Sequence, residues 1–166
     1  MIKTFIAKSV DYRSFELFDE SETSLGKIVY PKWYSTNAEI HINPKIYKIE
    51  SKGFWTTSLE VFEYEKAVMK FKMSWSGNIV LIDFTNGEKH FQINKEKWYN
   101  DVFEMKNEAE KTVLKIKRIF KWKDFKYYYD IVLEEELLPV EILGIIHVVN
   151  YFTSQDDGSA ATTASI

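Results

Sequence analysis

The chain has no cysteine, and that absence removes disulfide staples, thiolate nucleophiles and thiolate metal sites from consideration. It fits a reducing compartment. Histidine is almost as scarce: there are three, His41, His90 and His147, and no two have metal-ligand spacing on one element. The six glycines stand apart from one another, so no Gly-rich loop is present to cradle a phosphate, and no nucleophile-elbow motif occurs. Three prolines leave little room for long linkers. The opening "MIKTFIAKSV" lacks the apolar core of a signal peptide, so a cytoplasmic protein is expected. With no nucleophile, base or metal site to name, no enzyme activity and no cofactor are expected.

What the chain does have is rings and alternation. Its 166 residues are the length of one domain, 45% hydrophobic and 28% charged, with 12 Phe, 10 Tyr and 5 Trp. Each large ring buries roughly 150–250 Å², which points to a ring-filled core. A net charge of -3 gives no global attraction to nucleic acid or to an anionic membrane, so such contacts need a local basic patch.

Most of the sequence alternates with period two, the mark of half-buried strands. In "VMKFKMSW" Met69, Phe71, Met73 and Trp75 share one face, with Lys70 and Lys72 opposite. Ser76-Gly77-Asn78 ends that strand. "IVLIDF" and "KHFQI" flank Asn86-Gly87, the strongest short hairpin signal, with Phe91 and Ile93 inward and His90 and Gln92 outward. Turn signals at about every 8–12 residues predict a meandering barrel or sandwich of short strands in a single domain. The segment 153–166 has no periodicity and is expected to be a disordered tail.

Residues 137–152, "LLPVEILGIIHVVNYF", break the alternation. Pro139 suits a first helical position and Glu141 the first turn, which predicts a helix over about 138–152. Its apolar residues lie all round the axis, and such a helix is buried on every side. As a helix it spans roughly 24 Å at about 1.5 Å per residue, short of ~30 Å of hydrocarbon. Glu141 and His147 add to the cost of insertion. A core helix with strands wrapped round it is therefore expected, and no transmembrane segment.

That combination resembles the tubby C-terminal domain superfamily, which includes the LURP-one-related proteins and phospholipid scramblases. The resemblance rests on "FELFDESETSLGKIVYP", the serial aromatic hairpins and "DIVLEEELLPVEILGIIHVVNYF", and covers residues 3 to 152. It implies a closed antiparallel barrel of about 10–12 strands around a hydrophobic C-terminal helix. It also implies a binding role at a membrane surface rather than catalysis. Asp130 and Glu134–Glu136 occupy the region of the scramblase calcium segment. They lack Asp-x-Asp spacing and the turn glycine that wraps oxygens round calcium. A lipocalin-like barrel is the nearest rival, but its Gly-x-Trp signature, here Gly53-Phe54-Trp55, comes a third of the way along instead of on the first strand.

The most distinctive local feature is "KIKRIFKWKDFKYYY", residues 115–129. It sets Lys115, Lys117, Arg118, Lys121, Lys123 and Lys126 among Ile119, Phe120, Trp122, Phe125 and Tyr127–Tyr129. On a hairpin such a stretch suits anionic lipid head groups, with rings at the interface. Alternating lysine is also how strands stay solvated without aggregating. The leading expectation is a non-enzymatic module recognising anionic phospholipid at a membrane surface through those six basic residues. The alternatives are a scaffold or protein-interaction domain without a small ligand and, more weakly, a carrier of an apolar ligand. Nucleic acid is disfavoured as a partner. His41 and His90 fall on the polar phase of their strands, and His147 is read as a core imidazole bonded to a backbone carbonyl or to Asn150.

Overall fold

The computed structural model describes residues 2–11, 14–31, 37–52, 58–74, 78–97 and 100–164, with backbone alone for Asp11 and for residues 152–164. The Ser76-Gly77 turn, Trp75 and the Gly53-Phe54-Trp55 stretch lie outside the described residues. The chain forms β1 (Lys3–Asp11), β2 (Ser14–Phe18), β3 (Ser24–Val29), β4 (Ala38–Ile42), β5 (Lys45–Lys52) and β6 (Ser58–Glu63). It continues with β7 (Lys66–Met73), β8 (Ile79–Asp83), β9 (Lys89–Lys95), β10 (Val102–Asn107), β11 (Thr112–Lys121) and β12 (Lys126–Leu133). One helix, α1 (Pro139–Ala164), completes it.

Each strand pairs antiparallel with its neighbours in sequence, and β1 pairs with β12, so the sheet closes into a barrel. The period-two pattern decides what each side chain meets. On β7 Met69 and Phe71 are buried while Lys72 is exposed, and on β9 Phe91 and Ile93 are buried while His90 and Gln92 are exposed. The Asn86-Gly87 turn joins β8 to β9, but only Gly87 takes a positive φ, +80°.

A barrel this wide needs a filling. About eight strands enclose just enough space for their own side chains, and larger barrels are left with a lumen. Here α1 supplies the missing volume. Every residue from Val140 to Val149 is buried, including Glu141 and His147, and the helix residues join the strand side chains in one continuous cluster. Leu138, just before the first turn, is exposed instead.

Two glycines let the helix approach its wall. A Cβ on Gly26 of β3 would lie 2.8 Å from Ile42 Cγ1 and 3.2 Å from Leu143 Cδ1. On the helix itself, a Cβ on Gly144 would lie 3.2 Å from Met69 Cε. The backbone stays helical past Phe152 to Ala164, where the sequence pattern ended the helix and expected a disordered tail. Loss of apolar periodicity does not end the helical backbone; 153–164 contain no proline, and Ala160, Ala161 and Ala164 have the strongest helix preference. Among the described residues no helix is long and apolar enough to cross a membrane.

Antiparallel pairing sorts the connections. Those after β2, β4, β6, β8, β10 and β12 gather at one end, and the chain enters α1 there. The remainder gather at the other end, with the β11–β12 hairpin among them. If α1 is the core of the barrel, Ile145→Asp costs more than about 4 kcal/mol, the range of a buried unpaired charge. Ile46→Asp, on an outer wall, stays within about 0.5 kcal/mol of wild type. Chemical denaturation followed by circular dichroism distinguishes the two, and a wild-type-like Ile145→Asp protein contradicts the architecture.

Candidate functional site

Strand alternation divides the basic hairpin. On β11, Leu114, Ile116 and Arg118 share the inward phase, opposite Leu133, Ile131 and Tyr129 of β12. Lys115 and Lys117 take the outward phase, and Lys121 pairs with Lys126 where the hairpin closes. The six basic residues are thus not one surface.

Arg118 is folded into the barrel mouth, its side chain 8% exposed. Its guanidinium lies 4.6 Å from the centre of the Tyr127 ring and 3.4 Å from Asp101 Oδ2. Lys115 is outside but held by carboxylates, with Glu104 Oε1 at 3.2 Å and Glu96 Oε1 at 3.9 Å. The hydrogen bond to Glu104 keeps the Lys115 ammonium above its ordinary range. For Lys117, Lys121, Lys123 and Lys126 no ion pair occurs among the described residues. Lys121 Nζ sits 4.3 Å above the Tyr128 ring, and Lys126 Nζ donates to the Val10 carbonyl at 3.4 Å.

Rings crown this end of the hairpin. Phe120 packs edge-on to Trp122 at 4.8 Å and to Phe125 at 6.3 Å, and lies 4.9 Å from Tyr127. The cluster leaves Trp122 77% and Phe125 70% exposed. Phe125 has φ +51°, a conformation uncommon for a ring-bearing residue, and it turns the chain back into β12. Exposed rings flanked by cations suit an interface between water and an apolar phase.

The histidines separate as their strand phases suggest. His41 and His90 are on the outer surface beside Glu39 and Glu88, at 2.8 and 2.9 Å. His147 is buried on α1, and its Nδ1 is paired with the Tyr30 hydroxyl at 2.8 Å. Asn150 accepts from the Tyr129 hydroxyl at 3.1 Å. These bonds fasten the hairpin-end half of the helix to β12 and to the end of β3. Burial raises the Tyr30 and Tyr129 hydroxyls well above the ordinary range, so both stay neutral.

A second polar cluster, not foreseen from the sequence, fixes the other end of α1. Asp83 ends the inward phase of β8 after Ile79 and Leu81, and both it and Glu141 are buried. The Thr85 hydroxyl lies 2.7 Å from Asp83 Oδ1 and 2.7 Å from Glu141 Oε1. A hydroxyl carries one proton, so a proton on a carboxyl completes the second bond. Glu141 also accepts from the Leu138 N–H, reaching back to the first turn as a capping side chain does. Burial, with the adjoining Asp83, pushes the Glu141 carboxyl up to about 7. Neither carboxyl lines the nearby groove of about 410 Å³, which Lys66, Lys70, Phe84 and Glu88 help to bound. The pair joins strand to helix as a latch. Among the described residues no group of three or more His, Asp or Glu is arranged to hold a metal ion.

No family model matches the chain, and no curated protein does. Among solved structures, an X-ray structure of a protein from Arabidopsis thaliana aligns with a TM-score of 0.66, covering 91% of this chain and 91% of that one at 12% identity. The likeness is one of fold.

The Glu141 carboxyl gives a pH prediction. Its folded value lies above the ordinary 4.5, so its contribution to stability is complete below about 4.5 and is lost as pH rises through about 7. The full swing is on the order of 3 kcal/mol at 1.36 kcal/mol per unit. Glu141→Gln, neutral throughout, flattens the stability curve between those limits, as urea denaturation across the pH range will measure. An unchanged slope contradicts a protonated Glu141.

Proposed function

We propose that the protein is a non-enzymatic module, tubby-like in kind, that binds anionic phospholipid at a membrane surface through its β11–β12 hairpin. The observation that carries this reading is the exposed Trp122–Phe125 pair flanked by Lys121, Lys123 and Lys126. Aromatic rings prefer the head-group level of a bilayer, and each cation near an anionic surface contributes about 1 kcal/mol. Lys117 adds to the outer face. Arg118 and Lys115 belong to the scaffold: one is folded into the barrel mouth, the other held by Glu104. The sequence resemblance supports the same reading, and the barrel fold is compatible with it. A carrier of apolar ligands fits less well, because α1 occupies the middle of the barrel where a lipocalin-type ligand would lie.

Vesicle co-sedimentation tests the proposal. The protein is expected to sediment with phosphatidylcholine vesicles containing phosphatidylserine, not with phosphatidylcholine alone, and binding weakens with salt. Replacing Lys121, Lys123 and Lys126 together by Gln lowers affinity on the order of a hundredfold at low salt, from three contributions of about 1 kcal/mol. Lys115→Gln leaves it nearly unchanged. No binding at low salt, or a triple variant that binds like wild type, sinks the proposal.

A further inference from the structure

Two exposed apolar side chains stand on the wall beside the hairpin. Ile6 and Val10 point outward from β1, which pairs directly with β12, and Val10 is 52% exposed. The Lys126–Val10 hydrogen bond joins the end of β1 to the base of the hairpin, so Val10, Trp122 and Phe125 belong to one surface. Lys8 projects between Ile6 and Val10, opposite Tyr128 in the β1–β12 ladder. Cations and apolar groups therefore alternate along β1 as well as on the hairpin, with Asp130 of β12 opposite Ile6 and Glu16 of β2 opposite Lys8, where the sequence pattern singled out only the hairpin.

The opposite end has the reverse charge. Its turns carry Asp19, Glu20, Glu22, Glu108, Glu110 and Glu134, with Lys111 among them. The eight residues of β12 separate the two ends by about 26 Å at ~3.3 Å per residue. That is more than twice a Debye length of about 10 Å, so the acidic turns escape the repulsion of an anionic surface if the hairpin end faces it. The β1 wall and the hairpin meet that surface together only if the barrel leans toward β1.

We propose that the lipid-contacting surface extends from the hairpin along the outer face of β1 to Val10, Lys8 and Ile6, and that the barrel docks leaning on this wall with its acidic turns held away from the membrane. The inference rests on the lipid reading above and adds its footprint and orientation. Val10 and Ile6 supply apolar contact at head-group depth, and the Lys8 stem lies along the same wall, its ammonium 5.3 Å from the centre of the Phe18 ring of β2 and at a position to meet phosphate.

The absence of cysteine makes the test direct. Val10→Cys, Ile46→Cys and Glu108→Cys each accept one environment-sensitive fluorophore, at exposed positions where the fold tolerates change. Melting temperatures equal to wild type confirm that each labelled protein is folded. With phosphatidylcholine–phosphatidylserine vesicles, the Val10 label is expected to brighten several-fold and shift to the blue, while the Ile46 and Glu108 labels stay water-like. If the protein sediments with the vesicles but the Val10 label does not respond, or the Glu108 label does, the footprint is wrong and the lipid reading survives. If the protein does not sediment at all, both fall. A Val10 response that grows with protein concentration without vesicles overturns the proposal in favour of pairing between copies of this chain.

Discussion

The rest of the structure depends on α1 filling the barrel. A closed sheet of twelve strands encloses more space than its own inward side chains occupy, and an α-helix of about 10–12 Å diameter fits that space. The arrangement makes the two elements mutually dependent. The helix is apolar on every side and has no stable place in water without the strands. The strands in turn have no partner for their inward faces without the helix. Burying each large apolar side chain contributes about 1.5–3 kcal/mol, and strand and helix residues here form one cluster.

Apolar contact alone does not fix the position of a helix along a barrel axis. Directional bonds at each end do. Near its start, Glu141 meets Asp83 and Thr85 at the end of β8; about two turns on, His147 and Asn150 meet Tyr30 and Tyr129. Sliding the helix by one turn would break both sets and leave polar groups buried without partners, a cost of about 1–3 kcal/mol each. The lone glycine approaches at Gly26 and Gly144 act in the same sense, since each admits the helix at one position. Polar residues in this core therefore determine register, with the latch at Glu141 sensitive to pH.

How far the sequence reveals this depends on the range of the interaction. Alternation on β7 and β9, the turn at Gly87, and the all-round apolar character after Pro139 are local, and each appears in the fold as its pattern indicates. The same alternation also places Arg118 inward with Leu114 and Ile116, and Asp83 inward with Ile79 and Leu81. Grouping 115–126 by composition hides the first, and treating acidic residues as surface groups hides the second. Pairs such as Tyr30–His147 and Thr85–Glu141 are not legible at all, because they join segments far apart in the chain through closure of the barrel. The Val10 contribution to the hairpin surface is of the same kind: β1 becomes the neighbour of β12 only when the sheet closes. The candidate surface was thus half visible, as a run of lysines and rings, with its inward and ion-paired members indistinguishable from the rest.

This division gives the molecule two separate layers of design. Inside, a helix and barrel share one core and are expected to unfold together. Outside, cations and rings lie at one end and carboxylates at the other, and under the proposed function they set how that body meets an anionic surface. Native-state hydrogen exchange tests the inner layer most directly. If α1 is the common core, the amides from Ile142 to Val149 exchange only through global unfolding, with the same free energy as the slowest amides of β7 and β11. Exchange of the helix at a markedly lower free energy than the strands would show that it leaves the barrel independently and would contradict the account.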